Sequence, residues 1–123
     1  MATTIKLNME RIKQLTDAAV ISLEQTVEEL HTDVLQADVI PRDLGTLENV
    51  KTFVDTRSSK RGKVRLVFNG PYARRLYFHP EYNFQTNENP NAKGEWLKDW
   101  IDGDKKDFVK DRFKQIYKRN ANI

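Results

Sequence analysis

Cysteine is absent from this 123-residue chain, which excludes disulfides and thiolate-ligated zinc. Histidine is scarce: His31 and His79 are the whole supply of side chains that ordinarily titrate near neutral pH. The five glycines, Gly45, Gly62, Gly70, Gly94 and Gly103, stand apart from one another, so no glycine-rich phosphate loop is present. No apolar run approaches the roughly 20 residues a membrane helix needs. The first residues lack the basic-then-apolar order of a secretory signal. These absences lead to the expectation of a chain made in the cytoplasm, without a membrane partner.

What is present is charge. Hydrophobic residues make up 38% and charged residues 32%, which implies a thin core and much solvated or partner-facing surface. The length suits a single domain over residues 1–123. Residues 1–50 carry 4 basic and 9 acidic groups, a net −5, whereas residues 51–123 carry 17 basic and 9 acidic groups, a net +8. An acidic half joined to a basic half suits head-to-tail contact between copies; the alternative is two solvated surfaces of differing sign. After Ile101 the basic residues are interleaved with Asp and Glu, which argues against a continuous nucleic-acid face there.

Ile12, Leu15, Ala19, Leu23, Val27, Leu30, Val34 and Ala37 recur at spacings of three and four, predicting one long helix over residues 9–37 with a single apolar stripe. Pro41 is expected to end it by restricting Ile40. Asp43 to Leu47 read as a turn into a short helical step. Lys51–Thr56 and Lys63–Asn69 read as antiparallel strands, the second alternating Val64, Leu66 and Phe68 with Lys63, Arg65 and Val67. The polar tip between them runs from Arg57 to Gly62, with Gly62 available for positive φ. Gly70-Pro71 breaks the second strand and leads into a short helix over Tyr72–Tyr77. Gln85–Lys93 should be an irregular contact loop, with Asn87, Glu88, Asn89 and Asn91 exposed to a partner. A helical turn over Glu95–Ile101 should place Trp96, Leu97, Trp100 and Ile101 on one side. Gly103 then stops it, Asp104 caps the next helix, and Lys105–Arg119 buries Phe108, Val109, Phe113, Ile116 and Tyr117. The fold class expected is α+β, a long N-terminal helix and a C-terminal helix packed on a small antiparallel sheet.

Side chains arranged for catalysis are few. His31 has no second histidine one helical turn away to make a zinc pair. His79 and Glu81 flank Pro80 without a nucleophile elbow. No catalytic, cofactor-binding or metal-ligating residue is assigned, and the expectation is that the chain is not an enzyme. Arg57, Lys60, Arg61 and Lys63 form the densest basic patch, either a hairpin facing a partner or DNA phosphates, or a charged edge that discourages aggregation. Tyr72, Tyr77, Phe78, Tyr82 and Phe84, followed by Trp96 and Trp100, are either a binding surface or the packing of a small core.

That aromatic block has a wording of its own. Pro71-Tyr72-Ala73-Arg74-Arg75-Leu76-Tyr77-Phe78-His79-Pro80-Glu81-Tyr82-Asn83-Phe84-Gln85 resembles the minor capsid protein family of tailed phages and prophages of Gram-positive bacteria. So do Leu23 to Asp33 and Pro41-Arg42-Asp43-Leu44-Gly45-Thr46-Leu47. Phe53-Val54-Asp55-Thr56, Gly103 to Phe108 and Tyr117-Lys118-Arg119 continue the likeness, which spans residues 20–119. Where relatives often carry Thr before the turn glycine, this chain has Leu44.

The resemblance implies a structural protein of the head–tail junction, a connector, neck or tail-completion subunit without catalytic residues. Its implied partners are copies of itself in a ring (hexamer favoured over dodecamer), neighbouring head and tail connector proteins, and non-specific contact with channel DNA. It implies a place in the virion, with host cytoplasm during assembly. The alternative from another class is a small basic nucleic-acid-binding or regulatory protein, supported by a pI of 9.2.

Overall fold

A computed structural model describes residues 3–37, 39, 51–69, 73–81 and 91–123. The turn expected at Asp43–Leu47, the break at Gly70-Pro71, Tyr72, Tyr82, Phe84 and the loop residues Asn87, Glu88 and Asn89 lie outside the described residues. Helix α1 spans Met9–Gln36, strand β1 Lys51–Asp55 and strand β2 Arg65–Asn69. Short helices α2 (Ala73–Tyr77) and α3 (Lys98–Ile101) precede helix α4 (Phe108–Ala121). The architecture is α+β: α1 packs against α4, and the two-stranded antiparallel sheet contacts α1.

Asn8 starts α1, its side-chain oxygen accepting from the Arg11 N–H at 3.0 Å. The helix ends at Gln36 with Ala37 as its cap, and Ile40 and Pro41, where the stop was expected, lie outside the described residues. The chain leaves the helix at Ala37 so that Val39 enters the core, where the Val39 carbonyl accepts from Lys93 N–H at 3.1 Å. Asn91 Nδ2 donates to the Ala37 carbonyl at 3.0 Å, satisfying one of the acceptors a helix end leaves open.

The apolar stripe read from the sequence is rotated in the fold. The buried line of α1 is Ala18, Ser22, Thr26, Val27 and Val34, while Leu15, Ala19, Leu23 and Leu30 are half-buried and Ile12 is exposed. Small side chains admit α4 close to the α1 backbone. Ser22 Oγ donates to the Ala18 carbonyl and Thr26 Oγ1 to the Ser22 carbonyl, both at 2.6 Å, so neither hydroxyl is buried unsatisfied. Helix α4 runs antiparallel to α1: Arg11 Nη2 donates to the Ala121 carbonyl, Asn120 Nδ2 to Ser22 Oγ, and Arg112 pairs with Glu29. Ile116 is buried as expected, but Phe108, Val109, Phe113 and Tyr117 are half-buried.

Helix α4 begins at Phe108, later than the expected Lys105, and Asp104 does not cap it. Lys105 instead sits with its ammonium 4.7 Å from the centre of the Trp100 ring and 3.7 Å from Asp33. Helix α3 is also shorter than expected, because Glu95 adopts φ +48, outside the right-handed helical region. Ile101 is exposed, so it does not share the buried side of Trp96 and Trp100.

The sheet pairs Phe53 with Val67 and Val54 with Leu66. Thr52 and Phe68 are opposite one another on the face toward α1, where Thr52 Oγ1 lies 2.7 Å from His31 Nε2. Thr56, Lys63 and Val64 fall outside the strands, because Lys63 N–H turns back to the Ser58 carbonyl at 3.2 Å and closes the tip early.

Candidate interaction surface

The core claims part of the aromatic block. Trp96 is 1% exposed and meets Tyr77 edge-on at 4.8 Å and Phe68 at 5.7 Å. Val34, Val39 and Trp100 complete this cluster, with Leu30, Leu76, Leu97 and Phe108 packed around it. Burial raises the Tyr77 pKa, with the nearby Glu95 carboxylate adding to it. Of the two readings open to these aromatics, packing therefore holds for Tyr77, Trp96 and Trp100. Phe78 remains exposed.

The histidines are each held by a neighbour. His31 joins α1 to β1 through Thr52. His79 Nδ1 lies 2.7 Å from Glu81 Oε1, and this bond holds the Glu81 carboxyl below its ordinary pKa. Among the described residues, no group of three His, Cys, Asp or Glu side chains is placed to hold a metal ion. No helix among them is long and apolar enough to cross a membrane.

At the hairpin, the fold separates the basic residues into two sets. Asp55, on the last position of β1, is buried and faces Arg65 across the ladder. Its carboxylate accepts from Arg57 Nε at 3.0 Å and Arg57 Nη2 at 2.9 Å, from Arg65 Nη2, and from the Arg57 backbone N–H at 3.1 Å. The Arg57 guanidinium, then that of Arg65, then the Arg57 N–H hold the Asp55 pKa far below the carboxylate range against the effect of burial. The same pairing raises the Arg57 pKa. Beyond them, Ser59–Arg61 form a 3-10 turn whose Ser59 is buried, and Gly62 closes it at φ +82. Lys60, Arg61 and Lys63 are exposed and pair with no carboxylate among the described residues.

Of the predicted hairpin set, the structure thus groups Lys60, Arg61 and Lys63 at the tip and ties Arg57 back to the strand. The clamp by Asp55 escaped the sequence reading, although Asp-Thr-Arg at a strand end and Arg65 opposite it were its signal. Asn91, predicted as a contact residue, is exposed and donates its Nδ2 to the Ala37 carbonyl at the end of α1. A shallow cleft lined by Glu24, Gln25, Glu28, Glu29, Thr56 and Arg119 lies beside the hairpin base.

A second surface was not anticipated. Residues 3–8 precede α1 without regular structure, and Ile5, Leu7, Met9 and Ile12 are 82, 69, 66 and 41% exposed. Compared with protein-family models, characterised proteins and solved structures, the chain shows no significant match.

Proposed function

We propose that this chain is a non-enzymatic structural subunit of a tailed-phage head–tail junction, assembling head-to-tail into a ring around the DNA channel. The observation that carries the assembly reading is the exposed apolar run that leads into α1: Ile5, Leu7 and Met9 are 82, 69 and 66% exposed, and Ile12 after them is 41% exposed. Apolar groups gathered on a surface mark sites of association, because covering them removes apolar area from water. The acidic first 50 residues and the basic remainder suit a head-to-tail contact in which the positive face of one copy meets the negative face of the next. The place at the head–tail junction rests on the minor-capsid resemblance. A hexamer, the symmetry of tails, is the favoured ring, with neighbouring connector proteins above and below it, in the virion and in host cytoplasm during assembly.

The test is to replace Ile5, Leu7 and Met9 together by Ser. These exposed positions should leave the thermal midpoint of the isolated chain in place, while incorporation into purified virions falls by roughly tenfold or more, as expected when a contact repeated around a ring is weakened. Wild-type incorporation of this variant would contradict the reading.

A further inference from the structure

We infer that the hairpin tip is a contact for the phosphate backbone of duplex DNA, made by Lys60, Arg61 and Lys63 without reading base sequence. The inference rests on the assembly reading only for where such DNA is met. Three features of the tip carry it. Asp55 draws Arg57 and Arg65 into its own hydrogen bonds, so between residues 57 and 65 the cations that pair with no carboxylate among the described residues are those of the turn, Lys60, Arg61 and Lys63. The turn is a fixed platform: Ser59, Arg61, Gly62 and Lys63 N–H groups donate to Thr56, Ser58, Ser59 and Ser58 carbonyls, and Ser59 is buried. The acidic cleft at the hairpin base holds Glu24 and Glu28, which repel a polyanion from α1 and leave the tip as the point of approach. Flexible cations on a rigid tip, with no Asn, Gln, aromatic or aliphatic side chain among residues 57–63, suit phosphates over base edges.

The experiment is an NMR titration of the full isotope-labelled chain with a mixed-sequence DNA duplex at low salt. Amide shifts should be confined to the tip, residues 58–63. With three phosphates neutralised, log K should fall with log salt at a slope of about −2.7, so raising NaCl threefold weakens binding roughly twentyfold. Replacing Lys60, Arg61 and Lys63 by Gln should abolish the shifts while the rest of the spectrum stays native, and Arg61→Gln alone should flatten the slope. The matched control replaces Lys110, Lys114 and Lys118, exposed along α4, by Gln and should bind as wild type. Several results overturn the inference: no shifts at the tip, an equal loss in the α4 control, or the same perturbations with polyglutamate, which would make the partner an acidic protein face. The titration uses the isolated chain, so its failure leaves the assembly reading standing. A failure of virion incorporation likewise leaves the DNA contact standing.

Discussion

Trp100 donates its indole N–H to Asp33 Oδ2 at 2.8 Å, joining α3 to the last turns of α1. Lys105 lies against the same pair, over the Trp100 ring and near the carboxylate, so one acid organises the end of the helix layer. Replacing Asp33 with Ala should leave the Trp100 N–H without its partner at a buried residue. That should destabilise the fold by about 1–3 kcal/mol. Thermal unfolding would register this as a fall in midpoint; an unchanged midpoint would mean that the bond is incidental to the packing.

The Asp55 clamp predicts a definite pH response. Its pKa in the fold is lowered from an ordinary value near 3.8, so the unfolded chain binds a proton more readily than the folded one. The stabilisation is fully present above the unfolded pKa and is lost as pH falls below it. Denaturant midpoints should therefore decline below about pH 4, and Asp55→Asn should flatten that part of the profile. A variant as acid-sensitive as wild type would place the response elsewhere.

Two glycines should fail differently. A Cβ at Gly94 would lie 2.7 Å from Pro80 Cα and 3.1 Å from the Leu76 carbonyl oxygen, both backbone atoms. Gly94→Ala should cost about 1–3 kcal/mol through forced backbone shifts. At Gly62 a Cβ meets nothing within 4 Å, and only φ +82 opposes it. Gly62→Ala should cost about 1–2 kcal/mol and leave core packing intact. Near-ultraviolet circular dichroism separates them, with the Gly94 variant alone disturbing the signal of nearby Tyr77 and Trp96.

The close approach of α1 and α4 depends on small residues. Ser22 is buried and bonded to Asn120, so Ser22→Leu should overpack the helix pair by about 1–3 kcal/mol. Chemical denaturation of this variant beside Ile21→Leu, an exposed control, measures the effect; equal midpoints would show that the helices are not held close at Ser22.

Local signals in the chain recover local structure. The period of Leu15 to Val34 places α1, and alternation around Leu66 and Phe68 places β2. The face of α1 is less legible, because Ser22 and Thr26 count as polar until their hydroxyls are seen bonded to the preceding turn. The start of α4 is displaced by Lys105 reaching Trp100 and Asp33, a contact between residues distant in the chain. The surfaces divide in the same way. Lys60, Arg61 and Lys63 are readable as a basic tip, but their separation from Arg57 depends on strand register, which sets Arg65 opposite Asp55. The exposure of Ile5, Leu7 and Met9 depends on where α4 stops covering α1, which no local pattern encodes.

The proposed place of this chain at the head–tail junction is tested most directly by a cryo-electron microscopy reconstruction of the virion that carries it. The account predicts a closed ring of copies of α1, α4 and the hairpin at the neck, with the Ile5–Ile12 end covered by an adjacent copy. A resolved neck without this fold, or a fold whose apolar end faces solvent in every copy, would contradict it.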